Sequence, residues 1–413
     1  MKALVVCYTS GLDLRRVDDE STPFIAEQLR GCPWQRLVNL PSNELYPTLV
    51  TGVDPTLHGR WGVRLESAGA ANGRGALADL LPDAVTTTFQ SLLHLLTRSY
   101  DLAAIPPRRR RQFAITRSKY QRRLGRPEAL VEIGGAPSIF SVVGAPRCRY
   151  RFSSAMDPMR SVLRDLCSGP YVVEMLELYS LDRFQQWNLD RPAAVRAYYR
   201  RIDGFLRALH AKCKATDRSL MLLSDHGHEA IRASVDLRQR LRELGLPRDS
   251  YSYFTEVSNA RFWFHSEDAR RAITQMLSEI ENGTLLGYGE MHRYGVPLKD
   301  ASYGETFFYL DPGHIFFPHD FHHALANLWL GLVDPMQRSR LRDPRHKGNH
   351  GHLPHFDTEN AFLALLDPRF EVVVERASVL DVAPSILDAL GYEPAAGMSG
   401  RAIFRRARSQ NGS

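Results

Sequence analysis

An acid and an imidazole stand side by side in the segment Ser224-Asp225-His226-Gly227-His228. The apolar run just before it, residues 219–223, is short enough to be a buried strand of a covered sheet. A strand end that opens into a glycine turn is where α/β proteins place ligands. A carboxylate oxygen and an imidazole nitrogen could together bind one divalent ion. The same residues are also typical of a plain turn, so this segment alone leaves both interpretations open.

Three other segments, far apart in the chain, carry side chains of similar chemistry. They are residues 41–59 (with Pro41-Ser42, Thr51-Gly52 and His58-Gly59), residues 181–186 and residues 348–354. Together with residues 224–228, their order and spacing resemble the alkaline phosphatase superfamily, in its type I phosphodiesterase/nucleotide pyrophosphatase branch. Residues 381–384 and 397–401 resemble that branch too. Each motif is common by itself, and the whole set is specific.

This resemblance implies a hydrolase in which zinc ions bind the phosphoryl group and activate a Ser or Thr nucleophile. Ser42 matches the nucleophile, because it lies nine residues before Thr51. Asp225 and His226 match ligands of the metal that holds the nucleophile, and Asp182 and His350 match ligands of the other metal. For Ser42, a turn hydroxyl or a helix cap is the alternative interpretation.

Three positions depart from the pattern of the family. Ser10 stands where the family has a metal-binding Asp after the first strand, and Gln186 stands where it has a metal-binding His. Val63 replaces the Asn that holds a phosphate oxygen. Each of the two metals has therefore lost a good ligand, which should weaken metal binding strongly unless neighbouring residues substitute. The candidates for substitution are Asp13, His228, His352 and His355.

Two functions follow as hypotheses. The first is a metal-dependent hydrolase of a phosphodiester or nucleotide pyrophosphate, with Ser42 as the nucleophile and one or two divalent ions, expected to be zinc. The second is a repurposed or catalytically degenerate member of the superfamily that binds a phosphorylated ligand or partner, or runs different chemistry in the same pocket. In either case we expect a small anionic phosphorylated substrate or ligand.

Strand-like and helical patterns alternate at both ends of the chain, which predicts an α/β fold. The expected elements are strands at residues 3–8, 171–178, 219–223 and 361–366, and helices at residues 22–29, 192–212 and 379–391. We expect an alkaline phosphatase-like core, a mostly parallel central sheet flanked by helices, over residues 1–246 and 346–405. Residues 60–154 are expected to be an insertion or lid of the core, residues 247–345 an inserted cap subdomain, and residues 406–413 a loose tail.

The composition is that of an ordinary globular enzyme, with a formal net charge of +7. Much of the excess is a run of nine basic residues between Pro106 and Arg126, which could bind phosphates or be a solvated face. Only Phe113 and Tyr120 are aromatic within the run, which is sparser interleaving than nucleic-acid binding favours, so a nucleic-acid partner is not expected. The five scattered cysteines lack metal-site spacing and favour a cytoplasmic protein. No apolar run is long enough to cross a bilayer, so no membrane partner is expected.

Overall fold

A computed structural model describes residues 3–41, 44–65, 85–86, 88, 112–115, 126–153 and 159–407. The chain divides into two compact units. The first unit comprises Met1–Trp61, Arg117–His228 and Pro354–Ser413, and the second comprises Gly62–Thr116 and Glu229–Leu353.

The strands are named here in chain order. They are β1 (Leu4–Thr9), β2 (Trp34–Val38), β3 (Val63–Leu65), β4 (Phe113–Ile115), β5 (Glu132–Ile133), β6 (Ala136–Pro137), β7 (Cys148–Ser153), β8 (Val173–Leu178), β9 (Ser219–Ser224), β10 (Glu229–Ala230), β11 (Ala233–Val235), β12 (Tyr251–Thr255), β13 (Asn259–Phe264), β14 (Gly283–Gly287), β15 (Thr306–Leu310), β16 (His314–Phe316), β17 (Gly348–Asn349), β18 (Ala361–Leu365), β19 (Phe370–Val372), β20 (Ala377–Ser378) and β21 (Phe404–Arg406).

The α-helices are named in the same way. They are α1 (Pro23–Gly31), α2 (Tyr46–Thr51), α3 (Pro55–His58), α4 (Ile139–Val143), α5 (Met159–Asp165), α6 (Ser180–Asn188), α7 (Pro192–Ala215), α8 (Leu237–Glu243), α9 (Glu267–Ser278), α10 (Ala324–Val333) and α11 (Val382–Leu390). Among the helices that the structure describes, none is both long and apolar enough to cross a membrane.

Within the described residues, the central sheet of the first unit has the strand order β20-β2-β18-β9-β1-β8-β7. Strand β1 runs parallel to both of its neighbours, β8 and β9, and β7 runs parallel to β8. Strand β18 is antiparallel to β9 and β2. Every residue of β1, β8 and β9 is buried, as expected for parallel strands that helices cover on both faces. The predicted α/β fold, with a mostly parallel central sheet flanked by helices, is confirmed.

Helices α1 and α7 of the first unit pack against each other and show how local sequence builds the core. Helix α1 begins at Pro23, whose fixed φ suits a first helical position. The carboxylate of Asp203, on α7, accepts hydrogen bonds from the backbone N–H groups of Phe24 and Ile25 at 3.3 and 2.9 Å. Asp203 thus caps a helix remote in sequence, which also places a negative charge at the positive end of that helix.

The second unit contains an antiparallel sheet of order β12-β13-β15-β14 within the described residues. Helix α9 packs its apolar side chains Ile273 and Leu277 into a core with Phe262 and Phe308 of the sheet. The hydroxyl of Ser266 caps the start of α9 by accepting a hydrogen bond from the N–H of Ala269. This unit therefore has an apolar core of its own.

The observed elements differ from the predicted organisation in a few places. Strands β2, β7 and β20 belong to the central sheet but were not predicted, and β7 falls within the expected insertion. The longer segment of the second unit runs from Glu229 to Leu353, whereas the expected cap covers residues 247–345, and the unit also includes Gly62–Thr116 from the expected insertion. The predicted division into core and cap stays a prediction. The basic run before Arg126 and the end of the tail, from residue 408 on, lie outside the described residues.

Candidate metal centre

Three adjacent strands of the central sheet end where the predicted site residues begin. Ser10 directly follows β1, Asp182 lies four residues after the end of β8, and Asp225 directly follows β9. Because these strands are parallel neighbours, their carboxyl ends share one edge of the sheet, which is where α/β folds bind ligands. The fold therefore brings together residues that are more than 200 positions apart in the sequence.

Asp182, His226 and His228 form a cluster that could hold a metal ion. Each offers one ligand atom, and these atoms lie within 4.8 Å of one another. All three side chains are buried, and His228 Nε2 lies 3.1 Å from Asp182 Oδ1. Nδ1 of His226 lies 2.9 Å from the carbonyl oxygen of Gly227, so a proton on Nδ1 leaves Nε2 as a ligand atom. One carboxylate and two imidazoles are the donor set of many catalytic zinc sites.

Protein donors surround the carboxylate of Asp225. Tyr8 and Ser10 donate their hydroxyl hydrogens to Oδ2 at 2.5 and 3.1 Å, and the backbone N–H of Gly11 donates to Oδ1 at 3.0 Å. Nε2 of His226 lies 3.1 Å from the same Oδ2. Ser10 thus stabilises Asp225 with a hydrogen bond, at the position where the family pattern expects a second carboxylate.

The charges at this pair follow from burial and proximity. Burial by itself disfavours the charged forms of both side chains, but the attraction between them is stronger in sum. Beside the Asp225 carboxylate, the pKa of His226 rises to about 9, and the pKa of Asp225 falls below its usual range. Burial lowers the pKa of His228 despite the neighbouring Asp182. In the metal-free protein, His226 is therefore an imidazolium ion and His228 is neutral at pH 7.

Two glutamines of α6 contact the residues of the cluster through their side-chain amides. The amide of Gln186 donates to both oxygens of Asp182, at 3.1 and 3.0 Å, one helical turn away. The amide nitrogen of Gln185 donates to the carbonyl of Gly11 at 2.7 Å and lies 3.3 Å from Nδ1 of His228. Since an amide nitrogen only donates, Nδ1 of His228 is the acceptor and its proton sits on Nε2. Metal binding through that Nε2 requires the Gln185 amide to move.

Asp13 comes close to the glycine turn of the cluster but is already engaged. Arg15 donates to both of its oxygens, with Nε 3.0 Å from Oδ1 and Nη2 2.7 Å from Oδ2. The same Nη2 donates to the carbonyl of His228 at 2.9 Å. A Cβ added at Gly227 would lie 2.5 Å from Cγ of Asp13. To act as the substitute ligand, Asp13 would have to leave Arg15.

The remaining predicted residues lie in different parts of the chain. Val63, His350 and His352 belong to the second unit, in which the pKa of His352 is lowered to about 4, mainly by burial. His355 is an exposed residue of the first unit. Ser42 lies outside the described residues. The roles of these residues stay predictions.

Four polar residues of this region were missed by sequence reasoning, namely Tyr8, Asn39, Gln185 and Tyr199. Asn39 donates to the backbone carbonyls of Asp225 and Glu359 at 2.7 and 3.1 Å, and so holds the turn after β9. It directly follows β2, and an Asn at a strand end was an available signal. Tyr8 and Tyr199 are buried among apolar neighbours of a strand and a helix, so periodicity marks them as ordinary core residues.

No protein-family model and no curated protein matches this chain. Solved structures, in contrast, do match it. Murine ectonucleotide pyrophosphatase/phosphodiesterase 5, as an inactive form in complex with AMP, matches at 14% identity with a TM-score of 0.62 over 96% of each chain. A further murine structure of that protein gives 13% identity and a TM-score of 0.62, and the human protein gives 15% and 0.61, both over 96% of each chain.

The chain has the fold of the nucleotide pyrophosphatases/phosphodiesterases. The resemblance that the sequence motifs indicated, to this branch of the alkaline phosphatase superfamily, is thus confirmed at the level of the fold. At 13–15% identity, the similarity shows a phosphodiesterase-like fold and does not show an activity. A buried cluster that could hold a metal ion lies at the carboxyl edge of the sheet in that fold.

Proposed function

We propose that the protein is a hydrolase of a phosphodiester or nucleotide pyrophosphate that uses a single divalent metal ion, expected to be zinc. The observation that carries this proposal is the buried cluster of Asp182, His226 and His228, whose ligand atoms lie within 4.8 Å of one another. Three protein ligands leave a position for a substrate oxygen. The AMP bound to the murine phosphodiesterase supports a small anionic phosphorylated substrate.

The residues fit one ion better than two. A dinuclear site needs carboxylates to offset its charge, and Ser10 brings none. Tyr8, Ser10 and the N–H of Gly11 already donate to Asp225. We therefore assign Asp225 a structural role as the acceptor that holds Tyr8, Ser10 and Gly11 together, whereas the family pattern would make it a ligand of a second metal. A bound divalent ion supplies Lewis-acid stabilisation of charge on a phosphoryl oxygen and favours deprotonation of a nucleophile.

The other roles in this proposal are assigned to residues of the chain itself. Asp182 supplies a negative charge to the ion, and His226 and His228 supply neutral nitrogen ligands. The carbonyl of Gly227 orients the ring of His226 through Nδ1. Ser42 is the proposed nucleophile, on the strength of its place before Thr51 in the sequence. His350 stays a predicted further ligand.

A second candidate function is a catalytically degenerate protein that binds a phosphorylated ligand without turnover. It is favoured by the two glutamines, since Gln186 occupies both oxygens of Asp182 and Gln185 directs the proton of His228 to Nε2. In this form the two amides engage Asp182 and His228 in place of a metal. Both candidates use the same pocket and differ in metal content and turnover.

Metal content separates the two candidates. We expect about one zinc per chain after reconstitution, measured by elemental analysis and titration calorimetry, and a large loss of affinity in His228→Ala. His265→Ala is the matched control, because His265 is an exposed histidine of the second unit whose Nε2 lies 3.2 Å from the hydroxyl of Ser252 and which no prediction names as a ligand. No bound metal in the wild type, or equal binding in His228→Ala, would contradict the single-ion site.

Turnover tests the chemistry. With zinc or manganese present, we expect hydrolysis of bis(p-nitrophenyl) phosphate and of a nucleoside 5′-monophosphate p-nitrophenyl ester, lost in Ser42→Ala and after chelation. AMP binding without any hydrolysis would favour the degenerate candidate. Turnover that survives Ser42→Ala would remove Ser42 as the nucleophile. Fractionation of the cells that make the protein tests the expected cytoplasmic location.

A further inference from the structure

Helix α10 of the second unit is apolar on all sides, yet half of it faces solvent. Its ten residues contain no charged side chain, and Asn327 is the one strongly polar residue. One face, formed by Ala326, Asn327, Leu330 and Gly331, is buried in the unit. A helix without a polar face is ordinarily buried on every side or placed in lipid. The outer face of α10 is therefore expected to be covered by a binding partner.

The outer face of α10 has the spacing of a helix-packing stripe. Its side chains lie at positions i, i+3, i+4 and i+7, and they expose 44% (Leu325), 52% (Leu328), 36% (Trp329) and 60% (Leu332) of their surface. Leu341, on the chain that returns against α10, is 44% exposed. A patch of five such side chains is on the order of 400 Å², a size at which exposed apolar surface marks an interaction site. We call these five residues the leucine patch.

The border of the leucine patch is positively charged. Between residues 324 and 347, the exposed residues that carry charge are Arg338, Arg342 and Arg345. Of the acids in this stretch, Asp334 is buried and accepts hydrogen bonds from its own turn. Asp343 is ion-paired with Arg345 and Lys347. The stretch thus offers an apolar face flanked by cationic side chains.

We propose that the leucine patch is a docking surface for an anionic phospholipid bilayer. Aliphatic side chains and a tryptophan enter the boundary between headgroups and acyl chains, and the flanking arginines contact anionic headgroups. A ten-residue helix is about 15 Å long, roughly half the thickness of the hydrocarbon core, so it lies in the interface. The lack of a spanning apolar run, from which no membrane partner was expected, does not bear on a helix that lies in the interface.

The charge pattern favours lipid over a second copy of the chain. Two copies meeting face to face across a two-fold axis would each bring the same arginine border to the contact. A headgroup layer of negative charge complements that border directly.

Vesicle sedimentation tests the proposal. We expect the full-length protein to bind vesicles of phosphatidylcholine and phosphatidylglycerol (7:3) at least tenfold more tightly than vesicles of phosphatidylcholine alone. The double substitution Leu328→Gln with Leu332→Gln should reduce binding at least tenfold, and Val373→Gln, at an apolar residue that is 41% exposed elsewhere, should not. Circular dichroism and the melting temperature verify that each variant is folded.

Two further measurements make the result decisive. Arg338→Gln with Arg342→Gln should weaken binding to the anionic vesicles and flatten its dependence on salt. A blue shift of tryptophan fluorescence on vesicle addition should disappear in Trp329→Phe. Equal vesicle binding by the Leu328/Leu332 variant overturns the proposal. A concentration-dependent dimer in light scattering, lost in that variant and accompanied by no vesicle binding, also overturns it and assigns the patch to a second copy.

Discussion

Replacement of Asp225 by Asn tests whether this carboxylate is a structural anchor in the metal-free protein. The change keeps the size of the side chain and removes its charge. In the wild type, one carboxylate accepts from Tyr8, Ser10 and the N–H of Gly11 and attracts the imidazolium of His226, all at 2.5–3.1 Å. An asparagine has one oxygen to accept with, and its amide hydrogens then face donors.

The magnitude follows from these contacts. If the amide oxygen of the new side chain stays with Gly11, the hydroxyls of Tyr8 and Ser10 can rotate to accept, but the imidazolium of His226 cannot. Breaking one side of a buried charge pair costs about 3–5 kcal/mol. Loss of a single hydroxyl donor, as in Ser10→Ala, costs about 1 kcal/mol because three contacts to Asp225 remain. Asp225→Asn should therefore destabilise the protein several times more than Ser10→Ala.

The assay is urea unfolding of EDTA-treated protein at pH 7, followed by circular dichroism and fluorescence. We expect the unfolding midpoint of Asp225→Asn to move to clearly lower urea with an unchanged slope, and that of Ser10→Ala to move little. Asp225 is not a structural anchor if Asp225→Asn stays within about 1 kcal/mol of the wild type, or if the two variants lose equal stability.

Two further predictions concern stability. A Cβ at residue 227 would meet the Asp13 side chain at 2.5 Å, so Gly227→Ala should lower the free energy of unfolding by about 1–3 kcal/mol. The control is Gly204→Ala, because Gly204 lies within α7 and a Cβ added there has open space around it. This substitution should raise the free energy of unfolding by up to about 1 kcal/mol. Urea titration of the two variants measures both changes. Burial lowers the pKa of His58 to about 4 in the folded protein, whereas the unfolded chain keeps the ordinary value of 6.5. As the pH falls below about 6.5, the unfolded state therefore takes up a proton at His58 before the folded state does. Stability should then decline by about 3 kcal/mol from pH 6.5 to 4, and His58→Gln should show a shallower decline; an unchanged slope in that variant would contradict it.

The sequence by itself determined the class of fold, and it named Asp182, His226 and His228 as candidate metal-site residues before their positions were known. The apolar runs that became β1, β8 and β9 are buried on both faces, and such strands read clearly from composition alone. The unpredicted β7 alternates Cys148 and Tyr150 with arginines, a two-residue period that was present but short. The order of motifs along the chain also indicated the superfamily, because the fold fixes which strand ends meet.

Only the tertiary structure decided what the altered positions do. The family resemblance predicted that Ser10 and Gln186 stand at metal-ligand positions, but the sequence could not show that they donate hydrogen bonds to Asp225 and Asp182. Nor could it choose among the substitutes, of which His228 lies against Asp182 while Asp13 is held by Arg15. Hydrogen-bond partners depend on distances of a few ångströms between segments remote in sequence. Those distances are set by strand order and packing, which periodicity does not encode.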